Sequence, residues 1–136
     1  MEASANTGRT VTLAIPAKPD YVVLARLALS AVCRLSPLAP EEVADLKLAI
    51  TEASNYLMGG ERRQSSRGAE DESGRLTFSF DLADKSLLLC VSGDEMPTVS
   101  ADERELSLAL IKATVDSYEY EDGTMRLTKQ LRYGDE

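Results

Sequence analysis

The chain has 136 residues, of which 43% are hydrophobic and 28% charged, as is typical of a single soluble globular domain. Its formal net charge of -8 disfavours direct binding to nucleic acid and suits either solubility or a basic protein partner. The sequence contains no histidine, so zinc sites and histidine-based catalysis lose their usual ligand and base. Cys33 and Cys90 lie in apolar stretches, which favours buried thiols over a disulfide or a metal pair.

The chain ends and one polar stretch define the expected domain. Residues 1–9 are polar, lack the apolar core of a signal peptide and are expected to form a disordered tail. Residues 59–74 have almost no apolar content, which predicts a mobile loop inside the domain. No apolar run is long enough to cross a bilayer. We therefore expect one cytoplasmic domain over residues 10–134, with no membrane contact.

The first elements are a strand and a helix that is apolar on two sides. Alternation predicts a strand over residues 11–15, and a helix capped by Asp20 is predicted from Tyr21 to Leu35. One stripe of this helix is expected to face the core: Leu24, Leu27, Ala28, Ala31 and Leu35.

A second stripe of the same helix is also apolar and includes a cation: Val22, Arg26, Leu29 and Cys33. A neighbouring loop or strand could cover this stripe. The functional alternative is a partner-binding surface, because an arginine in apolar surroundings is a common hot-spot composition.

A second helix is predicted to begin near Pro40, which suits the first helical position, with acidic residues in its first turn. Its expected core stripe is Val43, Leu46, Ile50, Ala53 and Leu57. The residues roughly opposite are Asp45, Leu48, Glu52, Asn55 and Tyr56.

The second half of the chain predicts four strands around a third helix. Strands are expected at residues 76–82 and 87–91, and a capping box of Ser100 and Glu103 starts the helix. The last two strands flank an Asp-Gly hairpin turn at residues 122–123. This order predicts an α+β two-layer sandwich, with the helices on one face of a mixed, mostly antiparallel sheet.

Two sequence stretches resemble a known family. The runs IPAKPDYVVLARLALSAV and EEVADLKLAITEASNYLM are similar to the start of the anti-sigma factor/serine kinase family of GHKL ATPases, and the closing EYEDGTMRLTKQL fits the same order. The resemblance covers nearly the whole chain and implies the histidine-kinase-like, or Bergerat-type, ATPase fold. Its motifs are clearer in the first half than in the second.

The family's motif on the second helix is Glu-Ala-x-x-Asn, in which the Glu orients the attacking group and the Asn holds the Mg²⁺ of Mg-ATP. Glu52-Ala53 matches this pattern, but the position four after Glu52 is Tyr56. Asn55 is one position early, about 100° around the helix. The resemblance thus implies a damaged metal site. A solvated helix glutamate is the alternative for Glu52.

The two glycine motifs of the family are also altered. The family's Asp-x-Gly turn corresponds to Gly93-Asp94-Glu95, so Asp94 is the candidate adenine contact without the following glycine. The Gly-x-Gly-Leu phosphate cradle corresponds to the residues at 105–108, Glu-Leu-Ser-Leu. Side chains in place of glycines, and a carboxylate near the phosphates, both oppose nucleotide binding.

The resemblance implies an anti-sigma factor that sequesters an RNA polymerase sigma factor and is released by a STAS-type anti-anti-sigma protein. It also implies a homodimer and places Arg26 at a known partner contact. We expect a degenerate nucleotide site and no cofactor. The alternative is an active serine/threonine kinase that uses Mg-ATP to phosphorylate an anti-anti-sigma factor, with Glu52 as the catalytic residue, Asn55 as substitute metal ligand and Asp94 at adenine. A scaffold or ligand-binding domain of the same fold is a third possibility.

Overall fold

The computed structural model of the chain describes residues 9–59, 74–93 and 100–132. Residues 1–8 of the predicted tail, most of the predicted loop and Asp94 lie outside the described residues. The prediction is wrong for Arg9, the last residue of that tail, because it begins the first strand and pairs with Leu82. Among the helices that are described, none combines the length and apolar character needed to cross a membrane.

The described strands form one antiparallel sheet with the spatial order β1-β2-β3-β5-β4. Their bounds are Arg9–Pro16 (β1), Arg75–Leu82 (β2), Ser86–Gly93 (β3), Ser117–Glu121 (β4) and Thr124–Gln130 (β5). Every pairing among these strands is antiparallel, so the described sheet lacks the parallel pairing that a mixed sheet would require.

Three helices accompany the described sheet: Val22–Cys33 (α1), Pro40–Leu57 (α2) and Ala101–Thr114 (α3). The first helix packs against β1, β2 and α2, while α2 also contacts β3 and α3. The predicted α+β two-layer sandwich is confirmed.

The sheet has one apolar and one polar face because successive side chains of a strand point in opposite directions. The register aligns fully buried side chains in rows across the central strands, among them Phe78, Val91 and Met125. The opposite face carries small and polar side chains, such as the row Thr12, Ser79, Cys90, Arg126 and Glu119. The helix layer therefore covers the apolar face.

Two helix starts follow the sequence prediction. At the start of α2, Pro40 occupies the first turn, and the Ala39 N–H donates to the Glu42 carboxylate at 2.8 Å. At the start of α3, the Glu103 N–H donates to Ser100 Oγ at 3.1 Å, and the Ser100 N–H donates to the Glu103 carboxylate at 3.4 Å. Both contacts satisfy amides that have no partner within the helix.

The start of α1 differs from the prediction, because Asp20 does not cap the helix. Asp20 lies inside a short 3-10 turn, Pro19–Tyr21, and Tyr21 is the N-cap residue without a side-chain cap. Pro19 fixes a helical φ at the first position of that turn, so helical backbone begins before Asp20.

The two apolar stripes of α1 are exchanged relative to the prediction. The stripe in the core is Val22, Ala25, Leu29, Val32 and Cys33. Of the residues expected there, Leu24, Leu27, Ala31 and Leu35 are exposed, and Ala28 is half-buried. The expectation that Val22, Leu29 and Cys33 face outward is therefore wrong.

On α2 the predicted core stripe is largely correct, with Leu46, Ile50, Ala53 and Leu57 buried and Val43 half-buried. Tyr56 is the exception, because it is buried although it was placed on the opposite side. The aromatic ring reaches β4, as described below.

The hairpin between β4 and β5 turns at Asp122 and Gly123, as predicted. Both residues have positive φ, 53° and 77°, which a two-residue hairpin turn of type I′ requires. The Gly93 N–H donates to the Gly123 carbonyl at 3.0 Å, so the turn is tied to the end of β3.

Both thiols are unpaired, as predicted. Burial raises the pKa of the Cys33 thiol to about 11, and the charge of Lys47 partly opposes that shift. Cys90 is half-buried, and burial also raises its pKa. Both side chains therefore stay protonated near neutral pH and act as small apolar groups.

Matched leucine truncations on α1 test which stripe is in the core. Leu29 is 0% exposed and Leu27 61% exposed. We expect Leu29→Ala to lower the free energy of unfolding by about 2–5 kcal/mol, because it leaves a cavity. Leu27→Ala should stay within about 0.5 kcal/mol of the wild type, as for most surface changes. Urea unfolding measures both, and equal losses would contradict the observed orientation of α1.

Candidate functional site

Glu52 joins two helices at the centre of the region that corresponds to the family's nucleotide site. The Ser107 hydroxyl on α3 donates to the Glu52 carboxylate on α2 at 3.3 Å, and both residues are half-buried. This contact fixes one carboxylate oxygen of Glu52 on the chain's own α3.

Tyr56 occupies the position where the family motif has asparagine. It is 6% exposed, and its ring centroid lies 5.3 Å from that of Tyr120 on β4, with the planes tilted by 55°. Tilted aromatic pairs at this distance are favourable beyond their buried area. The side chain is therefore part of the packing between α2 and the sheet.

The Tyr120 phenol is uncharged near neutral pH. Burial raises the pKa of Tyr120 above its usual value, and the neighbouring Tyr56 shifts it in the same direction. Carboxylate, carbonyl and water oxygens suit Mg²⁺, and a phenol is not among these usual ligands.

Asn55 is the carboxamide nearest the motif position, and it is half-buried on α2. Its side chain makes no hydrogen bond to another described residue. Across the described parts of the chain, no group of three or more acidic, cysteine or histidine side chains is placed to hold a metal ion. At the motif position of the Mg²⁺ ligand the chain thus has the packed Tyr56 in place of asparagine. Asp94, the candidate adenine contact, lies outside the described residues.

The stretch that replaces the phosphate cradle, residues 105–108, lies within α3 and not at its start. The helical bonding of α3 already includes the Arg104 N–H, which donates to the Ser100 carbonyl at 2.9 Å. Only the first amides of a helix are free to bind an anion. Backbone amides at 105–108 are therefore committed to the helix.

The outer face of α1 carries the other candidate site. Of the four predicted partner-binding residues, Arg26 is half-buried, whereas Val22, Leu29 and Cys33 are buried in the core. Arg26 follows Val23 by one helical turn and directly precedes Leu27 in the chain. We call the exposed apolar side chains of this helix and of the loop that follows it the α1 surface: Val23, Leu24, Leu27 and Leu35.

Sequence reasoning missed the α1 surface because both stripes of the helix have apolar residues at helical spacing. Neither hydrophobicity nor spacing separates the two stripes. The exposed stripe even contains the larger side chains, including Leu24 and Leu27. Only the packing on β1, β2 and α2 assigns the other stripe to the core.

Comparisons with known proteins identify relatives of this chain. The serine-protein kinase RsbW of Listeria innocua is 34% identical over 82 residues, which cover 60% of this chain and 48% of the relative. The protein of the same name from Bacillus subtilis is 27% identical over 103 residues, covering 76% of this chain and 60% of the relative. The chain thus spans about half the length of the Listeria relative that it matches.

A family model extends over a larger part of the chain. The model for the histidine kinase-like ATPase domain matches residues 15–130, from the end of β1 to the end of β5. That range contains all three described helices, including Glu52 and the α1 surface. The chain therefore belongs to the histidine kinase-like ATPase domain family.

Proposed function

We propose that this protein is an anti-sigma factor that binds an RNA polymerase sigma factor through the α1 surface and Arg26. The observation that carries this proposal is that large apolar side chains are exposed on the helix that also carries Arg26, in a relative of the RsbW proteins. A STAS-type anti-anti-sigma protein would release the sigma factor by competition, and the binding unit would be a homodimer.

The α1 surface has the composition of a binding hot spot. Leu24 and Leu27 are 43% and 61% exposed, so a partner would remove further apolar area from water. Each Å² removed contributes about 25 cal/mol. The Arg26 guanidinium forms no ion pair with a described carboxylate and is available to a partner, and arginines in such surroundings dominate many interfaces.

The acidic charge of the chain supports the same proposal. A net charge of -8 attracts the basic, DNA-facing surfaces of a sigma factor over several ångströms. Such complementarity raises association rates more than it raises affinity. The α1 surface would then determine which protein is bound.

We further propose that the nucleotide site is degenerate and that sigma binding needs no ATP. Three observations support this proposal: Tyr56 packs on Tyr120, Ser107 binds Glu52, and the stretch at 105–108 is helical. Each replaces a contact that ATP or its metal would need with a contact inside the protein.

The second candidate is an active serine kinase, which the name of the relatives, serine-protein kinase, favours. In that case Glu52 would orient the acceptor serine of an anti-anti-sigma protein, and Asn55 would have to replace the missing metal ligand. Ser107 would first have to release the Glu52 carboxylate. The two candidates therefore differ in whether the hydrogen bond between Ser107 and Glu52 must break.

Charge substitutions on α1 test the sigma-binding surface. We expect Arg26→Glu and Leu27→Asp each to weaken binding to the cognate sigma factor by roughly 10- to 100-fold, since hot-spot truncations cost about 2 kcal/mol or more. Calorimetry against the sigma factors encoded in the same genome measures the change. Leu106→Asp is the matched control, because Leu106 is 62% exposed on α3, away from α1.

The control should bind like the wild type. If Arg26→Glu and Leu27→Asp also bind unchanged while a sigma factor is bound, the α1 surface is not the interface. If no sigma factor binds the wild type, the anti-sigma function itself is wrong.

ATP titration separates the two candidate functions. We expect no saturable heat with Mg-ATP up to about 1 mM, which corresponds to a binding free energy weaker than about -4 kcal/mol. The serine-protein kinase of Listeria innocua provides a positive control in the same buffer. Micromolar binding, together with phosphate transfer to a STAS protein that Glu52→Ala abolishes, would establish the kinase instead.

A further inference from the structure

A second surface lies where α1 ends and α2 begins. An open groove of about 480 Å³ runs between the two helices. Its lining comes from the end of α1, the connecting loop and the first half of α2: Ser30, Cys33, Arg34, Leu38, Val43 and Lys47. Neither Glu52 nor any leucine of the α1 surface is among the residues that line it.

The wall formed by the connecting loop is held by local hydrogen bonds. Ser36 Oγ donates to the Cys33 carbonyl at 2.8 Å, and the Leu38 N–H donates to Ser36 Oγ at 3.3 Å. The Leu35 N–H also donates to the Val32 carbonyl at 3.0 Å. The groove is therefore formed before any ligand arrives, which lowers the entropic cost of binding.

The inner part of the groove is apolar and uncharged. Leu38 and Val43 are half-buried and pack against the core, and the buried Cys33 thiol stays protonated because burial raises its pKa. An apolar side chain of a ligand could replace water here. Since the groove is open, it suits a protein segment better than a metabolite, because small-molecule sites enclose most of their ligand.

The rim of the groove is positive although the protein is acidic. Arg34 is exposed and Lys47 half-buried, and neither forms an ion pair with a carboxylate in the part of the chain that the structure describes. The nearby acid Glu42 is engaged elsewhere: its carboxylate accepts from the Ala39 N–H and pairs with Lys129 at 3.7 Å. Glu41 and Asp45 are exposed on α2 outside the lining.

We propose that this groove is a docking site for a protein segment in which apolar side chains are flanked by carboxylates. The apolar side chain would contact Leu38 and Val43, and the carboxylates would pair with Arg34 and Lys47. The net charge of -8 repels such an acidic segment from the rest of the surface. The two cations at the rim therefore favour its binding at the groove over binding elsewhere. The site is distinct from the proposed sigma-binding surface and does not depend on it.

A labelled peptide tests the proposal directly. The probe is fluorescein-Glu-Asp-Leu-Phe-Asp-Glu-amide, and binding is followed by fluorescence polarisation at low ionic strength. We expect saturable binding that weakens at least roughly tenfold in Lys47→Glu, because a close charge pair is reversed. Ala44→Trp should weaken it similarly, since Ala44 lines the groove and is exposed, so a tryptophan fills the groove without entering the core.

Lys112→Glu is the control for net charge, because Lys112 is exposed near the end of α3. It should bind the probe like the wild type, and circular dichroism should confirm that all variants fold. A second probe with Ser-Ser in place of Leu-Phe should bind at least tenfold more weakly. The proposal is overturned if no saturable binding occurs, if Lys47→Glu and Ala44→Trp bind as tightly as Lys112→Glu, or if the two probes bind equally.

Discussion

The structure depends on covering one apolar face of an antiparallel sheet with helices. Alternation along the strands leaves side chains such as Phe78 and Val91 on a single face, and exposing that face to water would cost several kcal/mol per row. The helices α1 and α2 cover it, and each uses one stripe to do so. Whatever lies on the other stripe of each helix then determines what the protein presents to partners.

The helix α2 both covers the sheet and carries the stretch that corresponds to the family's Glu-Ala-x-x-Asn motif. The family motif requires a carboxamide one turn after Glu52, yet the chain has a tyrosine there, which packs on Tyr120. The same helix is joined to α3 through the hydroxyl of Ser107. The two contacts therefore link α2 to both β4 and α3. The ATPase-domain fold is retained, and the proposal of a degenerate nucleotide site rests on these contacts.

For α1, the free stripe and the helix end provide two different surfaces. Along the helix, leucines are exposed on one side and Arg26 flanks the core stripe; at its end, a groove with Arg34 and Lys47 lies between α1 and α2. One surface is suited to a largely apolar contact near a cation, and the other to an acidic segment with an apolar anchor. The two proposed surfaces fit on one short helix because its core stripe is narrow and the loop that follows it is held by Ser36.

Much of the secondary structure could be predicted from the sequence, because the ends and types of these elements depend on residues close together in the chain. Strand alternation, the proline at the start of α2, the Ser100–Glu103 capping box and the Asp-Gly turn each depend on neighbours within a few residues, and all were confirmed. The tertiary structure alone decided which stripe of α1 is buried, because both stripes have the same spacing and only contact with β1, β2 and α2 distinguishes them. It likewise decided that Tyr56 is buried, because the ring that it packs against, Tyr120, lies 64 positions later in the chain (120 − 56). Periodicity reports which residues share a face, but the face that is buried depends on elements distant in sequence.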